Sequence, residues 1–358
     1  MDLADVVRRH GPPFLRKYGA RVPGFHRAAL AAILRCHTPA AGGSLYACDD
    51  CGHQRFAYHR CGHRACNQCG HPQQQAWLEA QTERLLPAGY FLVTFTIPQE
   101  LRGLFRSHQR ICYNALFTES ARTLQEIARQ PRYLGGDLGL LGVLHTWTRQ
   151  LIYHPHVHYL VPAVALREDG TVCFPREPEF LLPVRRLGAR FRARMWQRLR
   201  AADPALYARV PTRVWRKPWI VHSQFAGRGQ QALGYLSRYI YKTAISGTRL
   251  IGQDDQHVTF SYRDSGTHLE RILTLSGESF LRRFLQHVLP KGFRRVRSYG
   301  WLSPAAKERF ERVCTLLNAP VIARVVRPAW TISIACPHCE KPMRRIAEFG
   351  RAPPVCHA

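Results

Sequence analysis

The chain has 358 residues, 46% of them hydrophobic, and carries 52 Lys and Arg against 24 Asp and Glu, a formal charge of +28. A chain this long buries a core without staples and by length holds more than one domain, which excludes the small disulfide scaffold that 12 cysteines would otherwise suggest. Its basic residues run along nearly the whole length, so the favoured partner is a polyanion, with nucleic acid first and a ribosomal or membrane surface as the bland alternatives.

No apolar run approaches 20 residues, and Arg8, Arg9 and His10 are followed by no apolar stretch. The expectation is a cytoplasmic protein with neither a membrane span nor a signal peptide. Arg far outnumbers Lys, a composition that suggests a GC-rich bacterial genome.

Residues 1–35 read as short helices. Residues 36–72 are rich in Cys, His and Gly with little hydrophobic periodicity, the mark of a small fold built around metal. A helix is expected over 73–86 and a central strand over 89–97, where GYFLVTFTI is β-branched and aromatic. One long amphipathic helix or two should fill 99–129, followed by strands over 138–151 and 153–164. A Pro-rich loop at 175–186 leads to a very basic helix over 187–202 and a basic connection to residue 218. A strand over 219–225 precedes a helix over 230–246. Short strands near 248–252, 256–263 and 270–275 lead to a helix over 276–288 that Ser276 and Ser279 would open, and a last helix covers 303–317.

Cys48-x-x-Cys51 and Cys66-x-x-Cys69 are 14 residues apart. Two such knuckles present four thiolates to one structural zinc, each at about 2.3 Å. Cys36, Cys61, His53, His59, His63 and His71 are surplus donors that allow a second zinc or another choice of four. Cys336-x-x-Cys339 reads as half a zinc ribbon, which Cys356 and His357 would close across 16 residues; an empty knuckle is the alternative.

Two further segments make sense together. His154-Pro155-His156-Val157-His158 lies in an apolar run, and histidines two apart on a strand share a face. On a half-buried strand they often only donate to carbonyls; held on a core strand, they leave open positions on a metal for phosphate oxygens. Imidazole suits zinc, manganese or nickel better than magnesium, which abundance keeps in play. The pattern does not fix a third ligand: His154 shares the face, and Gln230 and Gln231 lie about one turn before Tyr235. In the second segment, Tyr235 and Tyr239 are four apart and share a helix face. Such a pair is usually core packing. Here Arg238 and Lys242 each follow a tyrosine by three residues, which favours the phenolate and offers positive charge to a phosphate. Tyr241 points elsewhere and reads as structural.

Four ordered segments now resemble the HUH endonuclease superfamily and, within it, the two-tyrosine rolling-circle transposases of the insertion sequence ninety-one family. CDDCGHQRFAYHRCGHRACNQC is similar to that family's N-terminal zinc-binding domain, and TWTRQLIYHPHVHYLVP to its metal motif. YLSRYIYKTAISGTRL is similar to its nucleophile helix, and FLRRFLQHVLPKGFRRVRSYGWL to its downstream segment. Ala65 and Asn67 depart from the His and Pro common in the second zinc knuckle of that family, and Tyr241 from its usual basic or polar residue.

The resemblance implies that His156 and His158 bind a catalytic divalent ion, Mg or Mn, and that Tyr235 and Tyr239 each take a 5′-phosphate during strand cleavage and transfer. It implies as substrate the single-stranded or hairpin DNA ends of the element itself. It also implies an α+β fold, an RRM-like palm whose central antiparallel sheet carries helices on one face. A zinc-binding domain would precede it and a helical, zinc-knuckle tail would follow, with bounds at 1–86, 87–300 and 301–358. A plasmid replication initiator or relaxase would share the chemistry without insertion, and a non-catalytic zinc-dependent nucleic-acid binder would need neither tyrosine.

Overall fold

The computed structural model describes residues 1–241, 243–264, 266–320 and 334–351, with every side chain in those ranges except those of His71, Pro72, Tyr239 and Tyr241. In chain order the elements are α1 (Leu3–Tyr18), α2 (Gly24–Arg35), β1 (Gly43–Ala47), β2 (Gln54–Tyr58), α3 (His71–Thr82), β3 (Tyr90–Thr96), α4 (Arg102–Ser107) and α5 (Gln109–Ala128). Next come β4 (Asp137–Trp147), β5 (Tyr153–Pro162), β6 (Ala165–Leu166), β7 (Val172–Cys173), α6 (Val184–Ala202), α7 (Pro204–Ala208), α8 (Arg213–Arg216), β8 (Val221–Phe225) and α9 (Gln230–Tyr241). The chain continues through β9 (Leu250–Gln253), β10 (His257–Arg263), β11 (Glu270–Ser276), α10 (Gly277–Leu285), β12 (Val296–Gly300), α11 (Lys307–Leu316), β13 (Ile334–Ala335) and β14 (Pro342–Phe349).

Two compact units form, and their segments alternate along the chain. One joins Met1–His71, Lys242–Val288 and Arg324–Ala358; the other joins Pro72–Tyr241 and Leu289–Ala323. They do not follow contiguous bounds at residues 86 and 300. Strand pairing explains why: β12 returns to pair with β4, and β14 returns to pair with β1.

In the first unit, α1 packs on α2 and α10. A capping box opens α1, with Asp2 accepting from the Asp5 N–H at 3.0 Å and Asp5 accepting from the Asp2 N–H at 2.9 Å. The expected Ser276 cap is present on α10, its hydroxyl accepting from the Ser279 N–H at 3.2 Å. Two antiparallel sheets complete this unit, in orders β11-β10-β9 and β13-β14-β1-β2.

The second unit is built on one antiparallel sheet of order β7-β6-β4-β5-β3-β8, with β12 also paired to β4. Strand alternation divides its side chains. Phe91, Val93 and Phe95 of β3, Leu138, Leu140 and Leu144 of β4, and Val157, Tyr159 and Val161 of β5 form one core with α5 and α6. Each such side chain contributes about 1.5–3 kcal/mol when fully buried. On the opposite face, Tyr90, Leu92, Leu141, Val143 and Leu160 pack with Ala232, Leu233 and Leu236 of α9 and with Trp77 and Leu78 of α3. Helices therefore cover both faces and not one. The even-numbered face of β5 and the odd-numbered face of β4 carry their own apolar residues, and the apolar stripe of α9 is what buries them.

Of the one or two helices expected over 99–129, two form: His108, with φ of −127° and ψ of 47°, separates α4 from α5. Close packing against α5 also fixes a glycine. A Cβ on Gly142 would lie 2.6 Å from Tyr159 Cε1. That ring cannot withdraw easily, because its hydroxyl donates to the Phe117 carbonyl at 2.9 Å and sits 2.8 Å from Ser120 Oγ. Gly142→Ala should therefore lower stability by about 1–3 kcal/mol, read as a reduced urea midpoint. Gly103→Ala, in α4 with open space around it, should be neutral or mildly stabilising. Equal midpoints for the two variants would show that the Tyr159 ring yields.

Candidate functional site

The site begins with a tight connection between β4 and β5. The Thr148 N–H donates to the Ile152 carbonyl at 3.0 Å, the Leu151 N–H donates to the Thr148 carbonyl at 2.9 Å, and Leu151 adopts a φ of +60°. This turn ends β4 at Trp147, short of the strand expected to residue 151. It also sets the register that places His145 directly opposite His156, and Val143 opposite His158. On the other side of β5, Thr96 faces His156 and Thr94 faces His158.

Three imidazoles converge as a result. One ring nitrogen from each of His145, His156 and His158 lies within 4.8 Å of the other two, and all three residues are buried. His156 Nδ1 donates to the His154 carbonyl at 2.6 Å, so its neutral ring keeps the Nε2 lone pair for the site. That Nε2 is 2.9 Å from His145 Nδ1. His158 Nδ1 is 2.8 Å from the Thr94 hydroxyl, the same outer contact that fixes metal-ligating histidines elsewhere. Burial holds the His156 pKa down to about 4, against the opposing effect of its hydrogen bond to the His154 carbonyl. Burial also pushes His158 well below its ordinary value, helped by His156 and by His222 across β3. Neutral imidazoles are the form that binds a divalent ion.

His154, a sequence candidate for the third ligand, is not among the three convergent imidazoles. Its Nδ1 accepts from Arg102 Nη2 at 2.7 Å, and only its carbonyl serves the site. Gln230 and Gln231 are exposed at the start of α9. The third imidazole of the group is that of His145, which sequence reasoning missed. A signal was there: a histidine on the preceding strand, in hairpin register with His156.

The helix α9 lies over this face. Gly229, at φ +90°, lets the chain enter it where a Cβ would meet Tyr90 and Leu85 at 3.0 Å. The Tyr235 ring stands edge-on to His158, with centroids 5.6 Å apart. Tyr239 lies one turn further along α9, and its side chain is outside the described residues. Arg238 is exposed on the same helix, and Lys242 lies outside the described residues. Arg295, from the downstream segment, was also missed as an individual residue. Its Nη1 donates to the Ile240 carbonyl at 3.1 Å, and its guanidinium lies 5.5 Å from the Trp147 ring centre. Trp147 in turn packs edge-on against His145 at 4.4 Å.

The cysteines of the first unit divide differently from the sequence expectation. Cys36, Cys61, Cys66 and Cys69 form one cluster, and Cys48, Cys51, Cys336 and Cys339 form another. The two pairs expected to share one zinc are thus in separate groups, because the β1–β2 hairpin carries Cys48 and Cys51 beside β14 instead of folding them back on residues 61–69. Cys356 and His357, expected to close the last knuckle, lie outside the described residues. The surplus histidines whose side chains are described have other contacts: His53 stacks near His338 at 4.3 Å, His59 Nε2 meets Ser44 Oγ at 3.3 Å, and His63 Nδ1 accepts from the Ala65 N–H at 3.1 Å.

In the first cluster, Cys69 Sγ is 3.6 Å from the sulfurs of both Cys36 and Cys61. Backbone N–H groups of Cys61 and His63 point at the Cys36 and Cys61 sulfurs at 3.5 and 3.4 Å. A hydrogen bond from Cys66 draws Cys61 down to about 5, burial pushes Cys36 up to about 11, and the Cys66 thiol is pushed up by that same bond. Four thiols this close cannot all ionise alone; one takes the charge and its neighbours keep their protons. A divalent ion removes that conflict, and an all-thiolate tetrahedral set is the donor set of structural zinc.

Among known proteins, two family models match. One, described as "Putative transposase", covers residues 139–309, which include the three histidines and Tyr235. The other, described as "Transposase zinc-binding domain", covers residues 6–97. "Putative transposase y4qJ" of Sinorhizobium fredii is 36% identical over 327 residues, spanning 86% of this chain and 82% of that protein. "Transposase for insertion sequence element IS801" of Pseudomonas savastanoi pv. phaseolicola is 30% identical over 299 residues, spanning 76% of this chain and 69% of that protein. No solved structure matches the chain. Among the described residues, no helix is long and apolar enough to cross a membrane. A zinc-binding domain, a histidine-bearing antiparallel sheet and two relatives aligned over most of their length agree: the chain belongs to the insertion sequence ninety-one family of transposases, DNA-processing enzymes with a structural zinc domain.

Proposed function

We propose that the chain cuts and rejoins single-stranded DNA through a 5′-phosphotyrosine intermediate, using one divalent ion at His145, His156 and His158, and so mobilises an insertion sequence by rolling-circle-like transposition. The observation that carries this reading is the placement of Tyr235 on α9, its ring 5.6 Å from that of His158 and beside the three-imidazole group. A divalent ion there would act as a Lewis acid on the scissile phosphate. Three imidazoles favour a transition-metal ion over magnesium.

The step balances within the substrate and the chain. The Tyr235 phenolate oxygen bonds to phosphorus, and the bond from phosphorus to the 3′-oxygen breaks. The released oxygen takes a proton and leaves as a 3′-hydroxyl, while the 5′-phosphate stays on the tyrosine. Attack by a 3′-hydroxyl reverses the step, so the ester conserves the energy for rejoining. Tyr239 is one helical turn away, about 6 Å along the axis, and gives a second attachment point that one nucleophile cannot supply. Arg238 and Lys242 bring positive charge to the phosphate that is being transferred.

Three outcomes test the reading. His145→Ala, His156→Ala and His158→Ala should each reduce cleavage of a labelled single strand by about 100-fold or more while leaving DNA retention in a gel largely intact, because binding rests on many Arg contacts. Normal cleavage by all three would place the metal elsewhere. Tyr235→Phe or Tyr239→Phe alone should leave a single cleavage but block the full transfer cycle, and the double variant should form no covalent adduct visible by denaturing electrophoresis. Persistent adduct in the double variant would identify another nucleophile.

The third outcome concerns pH. Folding lowers the His156 pKa from 6.5 to about 4, so the unfolded chain binds more protons between those values. In chelator-treated protein the stability that His156 contributes as a neutral group is complete above about pH 6.5 and is lost as pH falls toward 4. The melting temperature should fall over that window, and the fall should be smaller in His156→Gln. Identical pH profiles would show that the imidazole is not held neutral.

A further inference from the structure

We propose a second structural zinc, held by Cys48 and Cys51 from the β1–β2 turn and by Cys336 and Cys339 from the β13–β14 turn, which clasps stretches 285 residues apart in sequence into one zinc ribbon. The matched zinc-binding domain spans residues 6–97, so it contains the first cysteine cluster whole and only half of this one.

The geometry is that of a tetrahedral thiolate site. Cys48 Sγ is 3.4 Å from Cys339 Sγ, and Cys51 Sγ is 3.5 Å from Cys336 Sγ and 3.6 Å from Cys339 Sγ. Four sulfurs each about 2.3 Å from one zinc lie about 3.8 Å apart, so these edges need only a small expansion. Disulfides do not fit: a bonded pair sits at about 2.05 Å, and here Cys51 has two sulfur neighbours at nearly equal distance. Both cysteine pairs occupy the turn of a hairpin. Gly52 follows the first at φ +70° and Glu340 follows the second at φ +59°, which bends each backbone around its sulfurs.

The two hairpins are aligned before any metal arrives. β1 pairs with β14 from Gly43 opposite Phe349 to Ala47 opposite Arg344. Gly42 permits that approach, since a Cβ there would fall 2.5 Å from the Phe349 carbonyl oxygen. Arg344 Nε and Nη2 reach Asp49 at 3.2 and 3.1 Å, and Lys341 reaches Asp50 at 3.8 Å, so each knuckle is also tied to the other by charge. Apolar packing at the junction is slight, with Cys48, Cys336 and Met343 its buried members. Zinc uptake displaces the remaining thiol protons to solvent and involves no redox change. It also means that the N-terminal hairpin holds only half a site until the last strands of the chain are present.

The test uses the full-length chain carrying His156→Ala and His158→Ala, so that the imidazole group does not add to the metal count. Elemental analysis should find about two zinc ions per chain at four thiolates each. Cys336→Ser with Cys339→Ser should bring this to about one, as should Cys48→Ser with Cys51→Ser. A count of one in the parent, an unchanged count in either double variant, or iron in place of zinc overturns the proposal. Should the variants fail to fold, the same parent chain answers by cysteine alkylation mapped by mass spectrometry. Cys48, Cys51, Cys336 and Cys339 should resist alkylation as isolated and become reactive together after a chelator. Free reactivity of Cys336 and Cys339 before chelation, or release only by a disulfide reductant, overturns it.

Discussion

The candidate site rests on the two-residue period of β5. Odd-numbered Val157, Tyr159 and Val161 are wholly buried under α5 and α6. Even-numbered His156 and His158 therefore have to face α9. A slip of one residue would drive the imidazoles into an apolar core and lift three apolar side chains out of it, so the register is strongly specified. Neighbouring strands complete the arrangement by register alone: β4 supplies His145 opposite His156, and β3 supplies Thr94 opposite His158. The three imidazoles are thus brought together by the apolar core on the other side of the sheet.

Positioning of Tyr235 follows a different route. The apolar stripe of α9, Ala232, Leu233 and Leu236, seats the helix on Leu141, Val143 and Leu160, and that seating brings Tyr235 beside His158. At the C-terminal end of the helix, where carbonyls lack intrahelical partners, Arg295 donates to the Ile240 carbonyl. A cation at that end also complements the helix dipole. The same guanidinium lies over Trp147, whose ring packs against His145. The end of the helix and one edge of the imidazole group are consequently held by a single side chain.

Much of this was legible in the sequence because it depends on local periodicity. The alternation of GYFLVTFTI and of the HPHVH run gave strands β3 and β5, and the helical pattern around Tyr235 gave α9. What stayed hidden depends on pairing between distant segments. His145 becomes a site residue only through the β4–β5 register, and Arg295 only through the return of the downstream segment toward α9. The cysteines make the same point. Spacing alone favoured joining the two Cys-x-x-Cys pairs that lie closest in sequence, whereas β1 pairs with β14 and so groups Cys48 and Cys51 with Cys336 and Cys339. Helices on both sheet faces were likewise unpredictable from strand alternation, since a polar-looking face of β5 becomes buried once α9 is laid over it.

The strands that carry the second cysteine cluster show why metal is needed there and not in the sheet of the other unit. Along β2, four of five residues are exposed, and along β14 the buried member is Met343. A sheet this thin excludes little apolar surface from water, and the surface ion pairs of Arg344 and Lys341 add little in solvent. Sheet hydrogen bonds set the register, but their net contribution is modest because water competes for the same groups. Four thiolates on one divalent ion replace the missing core with a few strong, directional bonds. The seven-stranded sheet is the opposite case: its stability comes from apolar side chains packed against helices on both faces.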